Sequence, residues 1–435
     1  MKRKLTAYIT ILFFSIGIVG AQTSAPVIVK TFPTVSPESV GLSSERLKRI
    51  DENVNKWLAD GRLNGCVALI IRDGKIAYHK AFGYNDDAKK EPMRTDNIFR
   101  IASQTKAITS VAVMILYEEG KFLLDDPISK YIPEFAKPTV LDKFNETDSS
   151  YTTVPAKSEI TIRQLLTHTS GIGYAQIGSK EANAIYAKNN VTAGIGIENG
   201  RLLATDIKKL AKLPLMHNPG EKFTYGLNTD VLGYFVEVMS GMSLDQFFSK
   251  RIFQPLGMTD TYFYLPSSKS KRMARLFAEK DGKVSVIEKE ENGTWTINAN
   301  YPTSPGTYFS GGGGLSSTTL DYATFLQMLL NGGELNGKRV LSRNTVRMMT
   351  VNQIGDLMLG QYNKFGLGFG ITTERGSSVL PTPEGVFEWG GAFSTTYWVD
   401  PKEKLIGIIY RQLWKSTAGD VAGKYKVLVY QSIND

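Results

Sequence analysis

Phe99-Arg100-Ile101-Ala102-Ser103-Gln104-Thr105-Lys106 leads into an apolar stretch in which Ile108, Val111, Ala112, Ile115 and Leu116 recur at three- and four-residue spacing. That spacing predicts a helix over residues 101–119, with Gly120 ending it. If Ser103 opens the helix, Lys106 falls on the same face within reach of its hydroxyl. Exposed N–H groups and the positive end of the helix dipole favour a developing oxyanion there. A lysine partly withdrawn from water can act as a base toward the serine. Alone, the four-residue pattern is weak, because a serine ahead of an apolar helix is commonly just an N-cap.

The flanking sequence sets the architecture. Upstream, Ser43-Ser44-Glu45 opens an amphipathic helix (Leu47, Ile50, Val54, Trp57, Leu58) that ends near Gly61. Residues 66–72 and 75–82 read as strands joined by Asp73-Gly74, a strong hairpin signal. From Leu123 to about Phe309 the chain changes character. Helical segments at 161–167, 204–213, 229–240 and 244–252 alternate with loops rich in Gly, Asn and Pro, and Asp281-Gly282 marks a small exposed hairpin. After the glycines at 311–314 come a helix over 319–330, strands at 395–399 and 405–410 around Asp400-Pro401-Lys402-Glu403, and a last helix near 421–433. Strands at both ends with helices between predict an α+β fold: one antiparallel sheet built from the two chain ends, flanked by helices, with an inserted mostly helical lobe. The expected divisions are 41–122 plus 310–435 for the α/β sandwich and 123–309 for the lobe. No internal repeat is present.

The amino terminus reads as an export signal, residues 1–21. Lys2, Arg3 and Lys4 precede an apolar run from Tyr8 to Val19, and Val19-Gly20-Ala21 supplies the small residues of a cleavage site. The run is shorter than the roughly 20 residues that span a bilayer, so no stable membrane insertion is expected after cleavage. Residues 22–40, rich in Pro, Ser and Thr, form an extended lead-in. The expected destination is the periplasm or the medium.

Composition narrows the chemistry. At 435 residues with 42% hydrophobic and 21% charged residues, the chain can bury a sizeable core. The net charge of +9 is spread without a Lys/Arg block interleaved with aromatics, so no nucleic-acid partner is expected. Cys66 is the only cysteine, which excludes an intramolecular disulfide, and its apolar surroundings place it in a core strand. The three histidines, His79, His168 and His217, lack ligand spacing, so neither metal nor other cofactor is expected. Gly332 to Lys338 spells Gly-x-x-x-x-Gly-Lys, but Arg339 follows where a P-loop has Ser or Thr, and the stretch reads as a turn. A Gly-x-Ser-x-Gly elbow, the mark of an α/β-hydrolase, is missing.

Two further elements carry chemistry. Tyr225 lies in Pro219-Gly220-Glu221-Lys222-Phe223-Thr224-Tyr225-Gly226-Leu227-Asn228. A phenol beside a lysine can take the nucleophile's proton and return it to a leaving group, although a tyrosine ahead of a helix is more often plain core. Trp389-Gly390-Gly391-Ala392 precedes a strand. Its glycines let substrate approach the backbone, and an edge N–H there can complete an oxyanion hole with that of Ser103. The bland alternative is a glycine bend beside a buried tryptophan.

Together the ordered motifs resemble the serine β-lactamase and penicillin-binding-protein superfamily, in its class C-like branch. Leu165-Leu166-Thr167-His168-Thr169-Ser170-Gly171, Gly314-Leu315-Ser316-Ser317-Thr318 and Phe365-Gly366-Leu367-Gly368 fit the same pattern, and the resemblance covers roughly 38–415. It implies Ser103 as the acylated nucleophile, Lys106 and Tyr225 sharing proton transfer, and the N–H groups of Ser103 and Ala392 as oxyanion hole. His168 takes no catalytic role in that pattern.

The departures concern substrate. Where β-lactamases place Asn two residues after the tyrosine, this chain has Leu227, with Asn228 one further on; where they place Lys-Thr-Gly or a His-containing variant, it has Trp389 and Gly390. Losing a cation opposite a substrate carboxylate forgoes a charge-assisted contact worth about 1.5–3 kcal/mol, whereas tryptophan offers apolar area and one N–H. With Trp389, Gly390, Gly391, Leu227 and Asn228 as expected substrate contacts, the closest motif match is to β-lactamase-like carboxylesterases. The implied partner is a small-molecule or peptide substrate. The rival readings are a D-amino-acid peptidase or weak β-lactamase acting on cell-wall peptides, and a non-catalytic penicillin-binding-like protein.

Overall fold

The computed structural model describes residues 32–86, 88–192, 194–195, 200–292 and 295–435. The expected export signal, and the lead-in up to residue 31, lie outside them. Eight strands form the main sheet. In chain order they are β1 (Gly65–Arg72), β2 (Lys75–Asp86), β3 (Glu91–Pro92), β4 (Lys364–Phe365), β5 (Gly370–Ile371), β6 (Phe387–Gly391), β7 (Thr395–Asp400) and β8 (Leu405–Tyr410). Across the sheet the order is β4-β5-β6-β7-β8-β1-β2-β3, with every pairing antiparallel. The join of the chain's two ends is the β1–β8 ladder, with Val67 opposite Tyr410 and Arg72 opposite Leu405.

β1 is central, and all of its residues are buried. Its alternate side chains serve two cores. Val67, Leu69 and Ile71 enter one, Cys66, Ala68 and Ile70 the other. The first is covered by α2 (Thr105–Glu118) and α4 (Thr319–Leu330), the second by α1 (Ser44–Ala59) and α5 (Asp420–Tyr430). Each fully buried aliphatic side chain contributes about 1.5–3 kcal/mol relative to exposure, so this strand anchors both layers. The Asp73-Gly74 turn joins β1 to β2 with φ of 51° and 69°, the left-handed pair a type I′ hairpin needs. Cys66 is buried, and burial pushes its thiol up to about 12.

Between α2 and residue 309 lie α3 (Asn228–Ser240), which packs along α2, and shorter helices. This stretch carries more strand than expected. Hairpins pair Thr139–Phe144 with Tyr151–Pro155, Phe277–Lys280 with Lys283–Val286, and Lys289–Asn292 with Trp295–Asn298. The second has the Asp-Gly turn expected of it, and the third carries Asn292-Gly293, a hairpin dipeptide not singled out from the sequence; the first is mostly exposed and shows no apolar alternation. The predicted helix at 101 begins late, since Ala102–Gln104 form a 3-10 turn and α2 starts at Thr105. Ala102 has φ of 43°, which a right-handed helix does not admit. Among the described residues, no helix is long and apolar enough to cross a membrane.

Candidate active site

Ser103 sits on the 3-10 turn at the entrance to α2, half-buried, directly after the left-handed Ala102. Holding a non-glycine residue there costs on the order of 1–3 kcal/mol, and the surroundings fix the turn. The Tyr322 hydroxyl of α4 donates to the Gln104 carbonyl (2.9 Å), and the Tyr410 hydroxyl of β8 donates to Gln104 Oε1 (2.6 Å). Ile101 N–H donates to the Leu315 carbonyl at 3.0 Å. The serine is therefore presented by a turn tied to the sheet, to α4 and to the Leu315 segment.

Lys106, the second residue of α2, is 2% exposed. Its Nζ lies 3.4 Å from Ser103 Oγ and donates to the Gly312 carbonyl at 2.7 Å. The same Nζ stands 4.7 Å from the centre of the Tyr225 ring and 5.6 Å from that of Tyr174. Those two rings stack at 5.6 Å. Burial, with Tyr225 and Asp230 nearby, pushes the Tyr174 phenol well above its ordinary range, so it stays protonated. The Tyr225 hydroxyl is buried and has no hydrogen-bond partner among the described residues. A buried hydroxyl left unpaired costs about 1–3 kcal/mol. Ser103, Lys106 and Tyr225, distant in sequence, are thus brought together.

Tyr225 is held from behind by His168, whose ring centre is 4.8 Å from that of the tyrosine. The His168 Nδ1 accepts from Gly226 N–H (3.3 Å) and from the Asn228 amide (3.0 Å), which places its proton on Nε2. Burial, with the Lys106 charge nearby, pulls the imidazole well below its usual range, so it is neutral. Asn228 is fully buried, also bonded to Ser170, and Leu227 is 2% exposed within the main core. The structure therefore corrects both expected substrate contacts. One side chain is engaged in holding His168 and the other is core packing, because the chain enters α3 at these residues.

On the opposite side stands β6. The Trp389 ring is half-buried and lies 5.6 Å from the Tyr225 ring and 5.3 Å from the Phe365 ring. Gly390 is half-buried beside it. Gly391 packs on the Ser103 turn so closely that a Cβ would overlap the Ile101 carbonyl oxygen. Ala392 follows in an exposed position in the turn between β6 and β7. Its N–H has no partner among the described residues. A cavity of about 710 Å³ opens beside Tyr225, lined by Phe144, Met216, Phe223, Asp142, Glu181 and Lys222 among others; Ser103, Lys106 and Trp389 are not in its wall. A larger one of about 1650 Å³, bordered by His79, Asp260, Arg272 and Asp321, includes none of these residues and lies apart from the chemistry. No group of three His, Cys, Asp or Glu among the described residues is placed to hold a metal ion.

Tyr174 and Gly312 were not visible as site residues in the sequence. Tyr174 follows the Leu165–Gly171 segment by only three residues, and Gly312 belongs to a run of glycines whose purpose is a contact about two hundred residues back along the chain.

Residues 50–431 match the family model described as Beta-lactamase. The chain is 29% identical over 380 residues to Esterase EstB of Burkholderia gladioli, covering 85% of this chain and 91% of the relative. It is 29% identical over 412 residues to a D-alanyl-D-alanine carboxypeptidase-like protein of Escherichia coli K12, covering 90% and 88%. A solved structure of EstCE1, a hydrolase with promiscuous acyltransferase activity, superposes with a TM-score of 0.75 at 24% identity, covering 92% of this chain and 99% of that one. The fold is α+β, of the β-lactamase and transpeptidase kind, and the chain belongs to the Beta-lactamase family.

Proposed function

We propose that this chain is a serine hydrolase that works through an acyl-enzyme, with an ester as the favoured substrate. Ser103 Oγ attacks the substrate carbonyl carbon, and the hydroxyl proton passes to the Lys106–Tyr225 pair. The tetrahedral oxyanion is met by the N–H groups of Ser103 and Ala392. Its collapse expels the alcohol, which takes the proton back, and water then releases the acid by the same route in reverse. The observation that carries this reading is the convergence of Lys106 Nζ on Ser103 Oγ at 3.4 Å beneath the Tyr225 ring. An apo distance of this kind is expected to tighten once substrate is bound.

The preference for esters rests on the Trp389 wall. Its ring, with those of Tyr225 and Phe365, presents apolar surface where a carboxylate-binding cation would stand. Similarity to Esterase EstB points the same way, and similarity to the carboxypeptidase-like protein keeps cell-wall peptides as the second reading. Brief incubation with a short p-nitrophenyl ester and, separately, with a penicillin tests the choice by product release and intact mass. Ester turnover without a penicillin adduct is the expected result. A penicillin adduct on Ser103 would overturn the ester reading in favour of the peptidase one.

The proposal extends to location. The charged start, apolar run and small residues through Ala21 support export to the periplasm or medium. The secreted protein is expected to begin at Gln22 by N-terminal sequencing, and a mature chain that still begins at Met1 would refute it.

A further inference from the structure

Lys106 Nζ is met by one backbone group, the Gly312 carbonyl, and that carbonyl belongs to a loop of glycines with no side chains of their own to fix it. Two helices supply what the loop lacks. From α2, the Thr109 hydroxyl donates to the Gly311 carbonyl at 2.7 Å. From α3, Asp230 Oδ1 accepts from the Gly312 N–H at 3.2 Å and from the Ser310 hydroxyl at 2.6 Å. The Gly311–Gly312 peptide is therefore gripped at both of its polar ends, its oxygen by α2 and its N–H by α3. The next carbonyl along is the one that receives Lys106.

Asp230 is an unusual choice for a purely structural task. It is 1% exposed, and its second oxygen, Oδ2, is buried without a hydrogen-bond partner among the described residues. Burial drives the carboxyl upward against the opposing pull of Ser310, Lys106 and the Gly312 N–H. A group so costly to bury is kept where its geometry is needed. The loop has almost no room to shift, since a Cβ on Gly312 would overlap Asp230 Oδ2.

We propose that Asp230 and Thr109 are positioning residues for the acylation step: they clamp the Gly311–Gly312 peptide and so hold the Gly312 carbonyl where it aims Lys106 Nζ at Ser103. Neither touches the reacting atoms. The inference rests on the serine-hydrolase reading above, and the test is chosen to separate the two. Phosphonylation by an alkyl fluorophosphonate forms an Oγ–P bond, breaks P–F, releases fluoride and sends the serine proton to the neighbouring base. Its maximal rate reports that proton transfer irrespective of the natural substrate, and its half-saturation reports binding.

Asp230→Ala is expected to lower the maximal labelling rate about a hundredfold, the size of effect that misplacement of a reacting group produces, with half-saturation unchanged. Asp230→Asn keeps an acceptor for Gly312 and is expected to restore the rate to within about tenfold of wild type. A folded Asp230→Ala that labels like wild type overturns the clamp, and so does an Asn variant as slow as Ala, which would assign the effect to charge. If Asp230→Ala does not fold, Thr109→Val decides: slower labelling in a protein with native circular dichroism supports the clamp, and an unchanged rate overturns it. A wild-type protein that does not label refutes the serine-hydrolase reading, and the clamp's purpose with it.

Discussion

In the proposed mechanism Lys106 and Tyr225 share one task, taking up the Ser103 proton, and Lys106 Nζ lies over the Tyr225 ring 4.7 Å from its centre. Removing either group leaves Ser103 on its turn but breaks the pair that would take its proton. Lys106→Ala and Tyr225→Phe are each expected to slow acylation by about 10²–10⁴-fold, the usual contribution of a positioned acid or base, with the thermal transition close to that of wild type. Rates within a factor of a few of wild type in either variant would remove that residue from the mechanism. At this scale the motifs picked out three residues that the fold brings together. Ser103, Lys106 and Tyr225 could be named from motifs, whereas Leu227 and Asn228 were misplaced. Their spacing from Tyr225 suggested substrate contact, but α3 begins at Asn228 and turns both side chains inward, toward the core and His168.

Among the elements, β6 and the Ser103 turn form a close junction of the site. Gly391 allows the strand to lie on Ile101, and Thr395 Oγ1 reaches the same carbonyl at 3.4 Å. Gly391→Ala introduces a methyl group that must push the strand from the turn. It is expected to cost about 1–3 kcal/mol of stability by overpacking, read as a lowered melting temperature, and to slow ester turnover by displacing Ala392. A variant with native melting and native turnover would show that the junction is not needed. The helices and the long strands were largely readable from spacing. β1 announced itself as an unbroken apolar run, Asp73-Gly74 as a hairpin, and residues 319–330 as a helix. The 3-10 turn at Ala102–Gln104 was not, because the left-handed Ala102 is imposed by distant partners, Leu315, Tyr322 and Tyr410, and not by local preference. The hairpin at 139–155 escaped notice for the opposite reason, since its strands are mostly exposed and give no periodic signal.

In the molecule as a whole, the two chain ends share one sheet and the intervening residues are tied back to it through buried polar contacts. One such tie is Asp321, at the start of α4, whose Oδ2 accepts from Asp260 N–H (2.7 Å) and from the Thr261 hydroxyl (3.0 Å). Burial raises its carboxyl from the ordinary 3.8 to about 6. The folded state therefore binds this proton more tightly than the unfolded chain does. The associated stability is fully present below about pH 4 and is lost as pH rises through about 6, on the order of 2–3 kcal/mol in all. Asp321→Asn keeps an acceptor but cannot ionise. Relative to wild type it is expected to gain stability between pH 4 and pH 7 in denaturant titrations, and a difference that stays flat over that range would contradict the assignment.

The central claim, that Ser103 is the acylated nucleophile, is tested most directly by peptide mapping after labelling the mature protein with a fluorophosphonate. The account predicts a single adduct on the peptide that carries Ser103, absent from Ser103→Ala and strongly diminished in Lys106→Ala. An adduct on a different residue, or labelling that persists in Ser103→Ala, would contradict it.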